Sequence, residues 1–431
     1  MHEDLGHQLP LWSVLPFALM LLGIAVMPLQ LPHFWEKNRN KAILSAVLGL
    51  PVACYVALHD PMIVAHTALE YVSFLALLGA LFTISGGVVL RGDLRATPLV
   101  NTGFLAVGAL LANVIGTTGA SMLLIRPMLQ TNWPERKRVA HIPIFFIFIV
   151  SNCAGALTPL GDPPLFLGYL RGVPFFWTMR LIEEWIFAVG VLLALFYVVD
   201  RRAVAREARG WQVRDVAEYR PLDLRGKRNF FYLAGVVAAV LFSPGLPEGL
   251  VREGVRLGVM ALMTGLSLAT TPKEFREENG FSFGPINEVA VLFAGIFATM
   301  IPALEILRSH GAEFGISEPW QFFWLAGGLS SFLDNAPTYL TFASLAQGIG
   351  PGADTAVNMV GGAVSEKLLA AISCGAVFMG ANSYIGNGPN FMVKAIAEEQ
   401  GVRMPSFVGY MGWSSAILLP IFAVITLVFF V

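Results

Sequence analysis

Charge is what this sequence has least of: Asp, Glu, Lys and Arg make up 13% of its 431 residues, about half the roughly 25% of a soluble globular domain. A water-soluble fold is excluded, because 56% of the chain is apolar and whole stretches carry no charge. Residues 42–59, 71–90, 98–125, 229–247, 368–393 and 404–431 contain none of these four residue types, and each can cross about 30 Å of hydrocarbon as a helix. The chain is therefore read as an all-α polytopic membrane protein. A positive surplus is also missing. With 28 basic against 29 acidic residues the formal charge is -1, so no surface for nucleic acid is expected. Cysteine is scarce: Cys54, Cys153 and Cys374 form no C-x-x-C pair, which argues against a disulfide framework or a zinc site and makes them small core residues. The seven histidines, at 2, 7, 33, 59, 66, 141 and 310, lie in tails or loop edges without metal-ligand spacing. No cofactor is expected beyond transported Na⁺ and H⁺ themselves. Gly226-Lys227 lacks the upstream glycine of a phosphate loop, so nucleotide energisation has no support.

A basic leader is absent too. Met1 to Gln8 carry Glu3 and Asp4 but no Lys or Arg, whereas a secretory signal needs a basic start; the first span, about 11–31, is expected to be retained. Lys37, Arg39 and Lys41 follow it, and short basic loops favour the cytoplasm, which puts the amino end outside. The loop 60–67 has no Lys or Arg and the next turn has Arg91 and Arg95, in keeping with that orientation.

What is present next is interruption. The uncharged run after Arg95 would make a helix of about 42 Å, longer than a bilayer needs, and it is broken at Gly116-Thr117-Thr118-Gly119 with basic residues at both ends. Residues 98–131 are read as a re-entrant helical hairpin, whose non-helical tip must be buried in protein or line a watery cavity. Residues 142–171 hold Pro159, Pro163, Pro164, Gly155 and Gly161 in their middle and are read as two half-helices around an unwound centre. A span near 181–199 leads to a linker, 200–228, with nine basic and five acidic residues. The second half repeats this plan: spans near 229–244, 254–272 and 286–307, a hairpin at 319–348, a broken span at 366–395 and a last span at 406–430. That gives about ten transmembrane helices plus two re-entrant hairpins. Five crossings per half is odd, so repeat 229–431 must be inverted relative to repeat 1–199, and both termini are expected outside. Gly161-Asp162-Pro163 against Gly386-Asn387-Gly388-Pro389 is one of the weak residue similarities between the halves.

Two carboxylates stand deep in the breaks, Asp334 and Asp162, and an ionisable group there marks an ion or proton path by default. The plainer reading is that each caps the helix that follows it, Asp162 with proline at the first helical position. Around them lie neutral oxygen donors: Ser151, Asn152 and Thr158; Thr117 and Thr118; Asn335 and Thr338; Asn382, Ser383, Asn387 and Asn390. Hard cations take oxygen ligands, though any one of these groups can equally serve helix packing. Glu70 and Glu288 are read as interfacial or capping, and Arg126 and Lys394 as snorkelling side chains.

Ser151-Asn152 through Gly161-Asp162-Pro163-Pro164, Leu333-Asp334-Asn335-Ala336-Pro337, and Gly380-Ala381-Asn382-Ser383 through Gly386-Asn387-Gly388-Pro389-Asn390 together resemble the ion transporter superfamily, most closely its branch of sodium/proton antiporters and citrate transporters. The resemblance runs from about Glu70 to the end. It implies a homodimer in a bacterial cytoplasmic membrane, with a fixed scaffold domain and a transport domain of hairpins and broken helices that moves like an elevator. It also implies one ion site per half at a Ser-Asn-type motif, here Ser151-Asn152-Cys153 and Ala381-Asn382-Ser383. The leading expectation is a sodium/proton antiporter with Asp334 first and Asp162 second as carriers, because a cation and a proton compete for one buried carboxylate. The alternative is a sodium- or proton-coupled symporter of citrate or another carboxylate, held by helix N-termini and amides. A remote third is an intramembrane aspartyl protease.

Overall fold

The structure, a computed structural model, describes residues 5–92, 94–207, 222–247 and 249–431. Residues 1–4 of the acidic amino end and most of the charged linker, 208–221, lie outside the described residues. Within them the chain forms 18 α-helices, of which the longer ones are numbered here: α1 Leu15–Gln30, α2 Asn38–His59, α3 Pro61–Ser85, α4 Pro98–Asn132, α5 His141–Ile149, α6 Pro163–Leu170, α7 Ile182–Val204, α8 Arg228–Phe242, α9 Leu250–Thr270, α10 Gly284–His310, α11 Pro319–Ser330, α12 Asn335–Ile349, α13 Glu366–Met379, α14 Gly388–Glu399 and α15 Phe407–Ile425. Seven segments among the described residues are long and apolar enough to cross a membrane. The protein is an integral membrane protein.

Six of the ten expected spans are among these seven segments, the seventh being 98–132, the expected hairpin, and the four that do not qualify have identifiable reasons. Each broken segment consists of pieces too short to qualify alone. Helix α8 has 15 residues, about 22 Å at 1.5 Å per residue, and α9 carries Arg252, Glu253 and Arg256 in its first two turns. Helix α3 begins at Pro61, so 60–67 is not a loop: Asp60 caps the helix by accepting from Met62 N at 2.8 Å and Ile63 N at 3.3 Å, with proline in the first turn where its missing N–H costs nothing. Two antiparallel ribbons also depart from an all-α chain, β1 Val89–Arg91 with β2 Asp223–Arg225 and β3 Ala356–Met359 with β4 Gly362–Ser365. Cys54 is exposed rather than in the core, whereas Cys153 and Cys374 are buried.

The core surrounds the two broken segments. Every residue of α5 is buried, Phe145, Phe146 and Phe148 completely, as expected of a helix that is apolar on all sides. Helix α4 is two arms rather than one rod, since Gly116 has φ 78° and ψ 155°. Asn101 and Asn132 exchange amide hydrogen bonds of 2.8 and 2.9 Å across 31 residues of chain.

This junction contains an ionic network that the sequence reading placed in loops. Asp200 sits near the end of α7, which runs to Val204 and past the expected linker boundary. Its carboxylate accepts from Asn101 at 2.9 Å, bonds the His141 ring at 2.9 Å and pairs with Arg136. Arg136 Nη1 also donates to Asn132 Oδ1 at 2.7 Å. Arg136, Asp200 and His141 are all buried, so Arg136 is not a solvated topology marker and His141 is not a loop-edge residue. Removing one partner leaves the other charge buried and uncompensated, which costs about 3–5 kcal/mol. Asp200→Ala should therefore lower the unfolding transition of the detergent-solubilised protein sharply. Asp223→Asn, which removes a half-exposed carboxylate paired with Arg225, should shift stability by about 1 kcal/mol or less. Equal effects would contradict the network's structural role.

Candidate functional site

The four breaks meet at one carboxylate. Gly116, in the left-handed region that favours glycine, ends the first arm of α4 and brings Thr117 N to Gly161 O at 2.8 Å. The unwound centre 150–162 is held by groups that replace helical bonds: Asn113 Oδ1 accepts from Leu157 N at 2.9 Å, Asn113 O from Thr158 Oγ1 at 2.5 Å, Leu157 O from Thr178 at 2.9 Å and Ala154 O from Trp185 at 2.9 Å. Such partners are obligatory, because unpaired backbone at membrane depth costs several kcal/mol per group. Gly161 packs against the loop itself, and a Cβ there would lie 2.2 Å from Gly155 O.

Asp162 follows at the N-cap position of α6, yet its side chain makes no capping bond. It turns away from its own helix. Asp162 Oδ1 accepts from Thr117 Oγ1 at 2.9 Å and from Asn387 Nδ2 at 3.2 Å, while Oδ2 accepts from Asn335 Nδ2. Donors thus arrive from the tip of α4, the break before α12 and the break before α14. Only 1% of Asp162 is exposed. Asn152 Nδ2 donates to Asn390 Oδ1 at 2.7 Å, and Asn387 Nδ2 also lies 3.2 Å from Ser151 O and 3.3 Å from Asn152 Oδ1. Asn390 in turn donates to Gly380 O and Ser383 O at 2.8 and 2.9 Å. The two unwound segments are therefore bonded across the halves of the chain through paired asparagines.

Helical segments start at 117, 163, 335 and 388 beside this cluster, and the partial positive charge of a helix N-terminus favours an anion there. One oxygen is left over. Asn335 is completely buried and commits its amide nitrogen to Asp162, and its Oδ1 has no hydrogen-bond partner among the described residues. A carboxylate, hydroxyls and an unpaired amide oxygen in one buried spot are the donor set of a small hard cation. Among the described residues no cluster of three His, Cys, Asp or Glu exists for a resident metal ion.

The expected site residues divide accordingly. Asp162, Thr117, Asn335, Asn387, Asn152, Asn390 and Ser151 come together. Ser151 Oγ bonds Ser121 Oγ at 2.8 Å. Asn382 and Ser383 bind the first turn after α11, Asn382 Nδ2 to Ser331 Oγ at 2.9 Å and Ser383 Oγ to Ser331 O at 2.5 Å, and Asn382 Oδ1 has no partner. Thr158 and Thr338 donate to backbone, Thr338 to Asp334 O at 3.0 Å. Asp334 caps α12 by accepting from Ala336 N at 3.0 Å and is only partly buried. Asp162 thus gathers donors from the other three breaks, whereas Asp334 caps its own helix. Missed by sequence were Asn113, Ser121 and the wall opposite the tip, where Phe74, Leu78 and Leu81 of α3 face Thr117, Thr118 and Asp162 across a cleft. Among the described residues no Lys, Arg or His lines that cleft.

Compared with protein families, residues 6–430 match the model described as "Putative citrate transport". The chain belongs to this family. The citrate transport family is part of the ion transporter superfamily, so the resemblance read from the asparagine and proline motifs holds, and the protein is a transporter rather than an enzyme. No curated protein matches the chain.

The close fit at Gly161 yields a test. Gly161→Ala forces the loop that carries Asp162 to move and should cut transport by about tenfold or more, since displacements near 1 Å are that costly in a preorganised site. Gly190→Ala, in α7 with nothing within 4 Å of the added carbon, should leave transport unchanged and raise stability by about 0.5–1 kcal/mol. Initial uptake rates in vesicles decide the matter, and equal rates in the two variants would show that the loop is not tightly specified.

Proposed function

We propose that this member of the citrate transport family is a secondary transporter that moves citrate or a similar small carboxylate together with Na⁺ or H⁺, and that Asp162 is the coupling group. The observation that carries the reading is the meeting of donors from three other breaks on one buried carboxylate, with the unpaired Asn335 Oδ1 beside it. A cation and a proton are alternatives on Asp162, because either neutralises the same buried charge. A neutralised Asp162 leaves the surrounding helix N-termini and asparagine amides free to hold a carboxylate; an ionised one repels it. Substrate binding is thereby linked to cation binding, and linkage of this kind is reciprocal.

Residues 98–131 and 319–348 act in this proposal as re-entrant hairpins of two inverted repeats. The Asn101–Asn132 contact and the bend at Gly116 support the first. The hairpins and broken segments are proposed to move as a transport domain against a scaffold that includes α3, in a homodimer of a bacterial cytoplasmic membrane with both termini outside. Asp334 has the lesser role of positioning Asn335. Sodium/proton antiport is the second reading, favoured by the absence of any basic residue among the described residues lining the cleft at Asp162. Membership of a transport family removes support for protease chemistry.

Purified protein in liposomes should take up radiolabelled citrate when a Na⁺ or H⁺ gradient is imposed. Asp162→Asn should abolish gradient-driven uptake, and Asp334→Asn should reduce it by less than about tenfold. Na⁺-dependent pH change without carboxylate uptake would favour antiport. Full uptake by Asp162→Asn would overturn the assignment under either reading.

A further inference from the structure

An ion pair outside the cluster described above lies about one turn beyond two walls of the cleft that Asp162 lines. Helix α6 runs from Pro163, with Asp162 at its N-cap, to Leu170, with Arg171 at its C-cap. Alongside it runs α3: Phe74, Leu77, Leu78 and Leu81 of α3 and Phe166 of α6 line the same cleft as Asp162. One turn beyond Phe74 is Glu70, and one turn beyond Phe166 the α6 helix ends at Leu170, next to Arg171. These two meet. Arg171 Nη2 and Nε lie 3.0 and 3.2 Å from Glu70, and both bonds fall on the single oxygen Oε2. Both side chains keep some contact with solvent, at 16% and 18% exposure.

Three features separate this guanidinium from an ordinary structural ion pair. The pairing is one-oxygened, whereas guanidinium and carboxylate bind most strongly in the two-oxygen fork geometry; Nη1 makes no bond among the described residues. The backbone beneath it is fixed: Arg171 O accepts from Val360 N at 2.6 Å, at the tip of the β3–β4 ribbon, and Gly172 turns the chain at φ 102°. The cleft itself has no basic residue among its described lining residues, and Arg171 stands about one turn beyond its Phe74 and Phe166 walls.

We propose that Arg171 is an entry site for the carboxylate substrate, which takes the guanidinium from Glu70 and so opens the ion pair beside the cleft. Glu70 is the competitor that keeps the site closed when no substrate is present. This inference rests on the carboxylate-transport reading and adds to it a site distant from Asp162.

A pair serving only to hold α3 against α6 loses the same contact whichever partner is neutralised, so the two neutral variants would behave alike. An entry site predicts opposite effects. Initial citrate uptake in proteoliposomes, as a function of citrate concentration at saturating Na⁺ or H⁺ gradient, should give a KM raised by about tenfold in Arg171→Gln, because a charge-assisted bond is lost. It should be raised less in Arg171→Lys, which keeps the charge without the fork, and lowered by about threefold or more in Glu70→Gln, where the competitor is gone. The cation concentration giving half-maximal uptake should be unchanged in all three, which also reports intact folding at Asp162. A wild-type protein that takes up citrate, with KM moving in the same direction in Arg171→Gln and Glu70→Gln or in neither, overturns the entry site alone. A wild-type protein that takes up no carboxylate overturns the functional reading and this inference with it.

Discussion

The structure depends on a single expensive choice, an aspartate with almost no water contact in the interior of a membrane protein. An isolated charge there is unfavourable by many kcal/mol, and the group must be neutralised, paired or surrounded by oriented dipoles. Asp162 has no cationic side chain among its hydrogen-bond partners. It has a hydroxyl, two amides and the N-terminal ends of helices. These dipoles stabilise the anion in part and leave a charge that an incoming cation or proton can complete, which is the condition for coupling.

That constraint explains why helices are broken where they are. An intact helix buries its own backbone donors in internal bonds and offers nothing to a ligand. Breaks at 116, 150–162, 331–334 and 380–387 expose donors, and each break needs substitutes for the helical bonds it loses. Asn113, Thr178 and Trp185 supply them for the first unwound segment; Ser383 and Asn390 supply them for the second. The asparagine pair Asn152–Asn390 then fixes the two segments against each other. The junction of Asp200, Arg136 and His141 plays a comparable part away from the cluster, tying both arms of α4 to α7.

Much of this was legible in the sequence, and what was missed follows a pattern. Uncharged runs identify a membrane protein, and Gly116, Pro159, Gly161, Pro163 and Gly386 mark interruptions because those residues disfavour helix locally. The asparagines and Asp162 stood out because polar groups in such breaks need a purpose. Pairings between distant segments left no local mark. Asp200, Arg136 and His141 looked like ordinary loop charges because each lies at the end of an apolar stretch, and their mutual burial depends on contacts across 59 to 64 residues of chain. Asp334 ranked above Asp162 on sequence because it lies between uncharged flanks while Asp162 precedes proline in a favourable N-cap setting; in the structure it is Asp334 that accepts from Ala336 N, and Asp162 makes no capping bond, the Leu165 N–H going to its backbone carbonyl. The Arg171–Glu70 pair was invisible for the same reason, since its partners lie 101 residues apart.

If the dipole-solvated Asp162 is the point at which cation and substrate meet, binding of one must strengthen binding of the other before any transport occurs. Calorimetric titration of citrate into detergent-solubilised protein, in Na⁺ and in an organic cation too large to be coordinated, each at two pH values, measures this directly. Citrate affinity at least about tenfold higher, or 1.4 kcal/mol, in the presence of Na⁺ or at the lower pH is the expected result, with the difference abolished in Asp162→Asn. An affinity that is the same in all four conditions would contradict it.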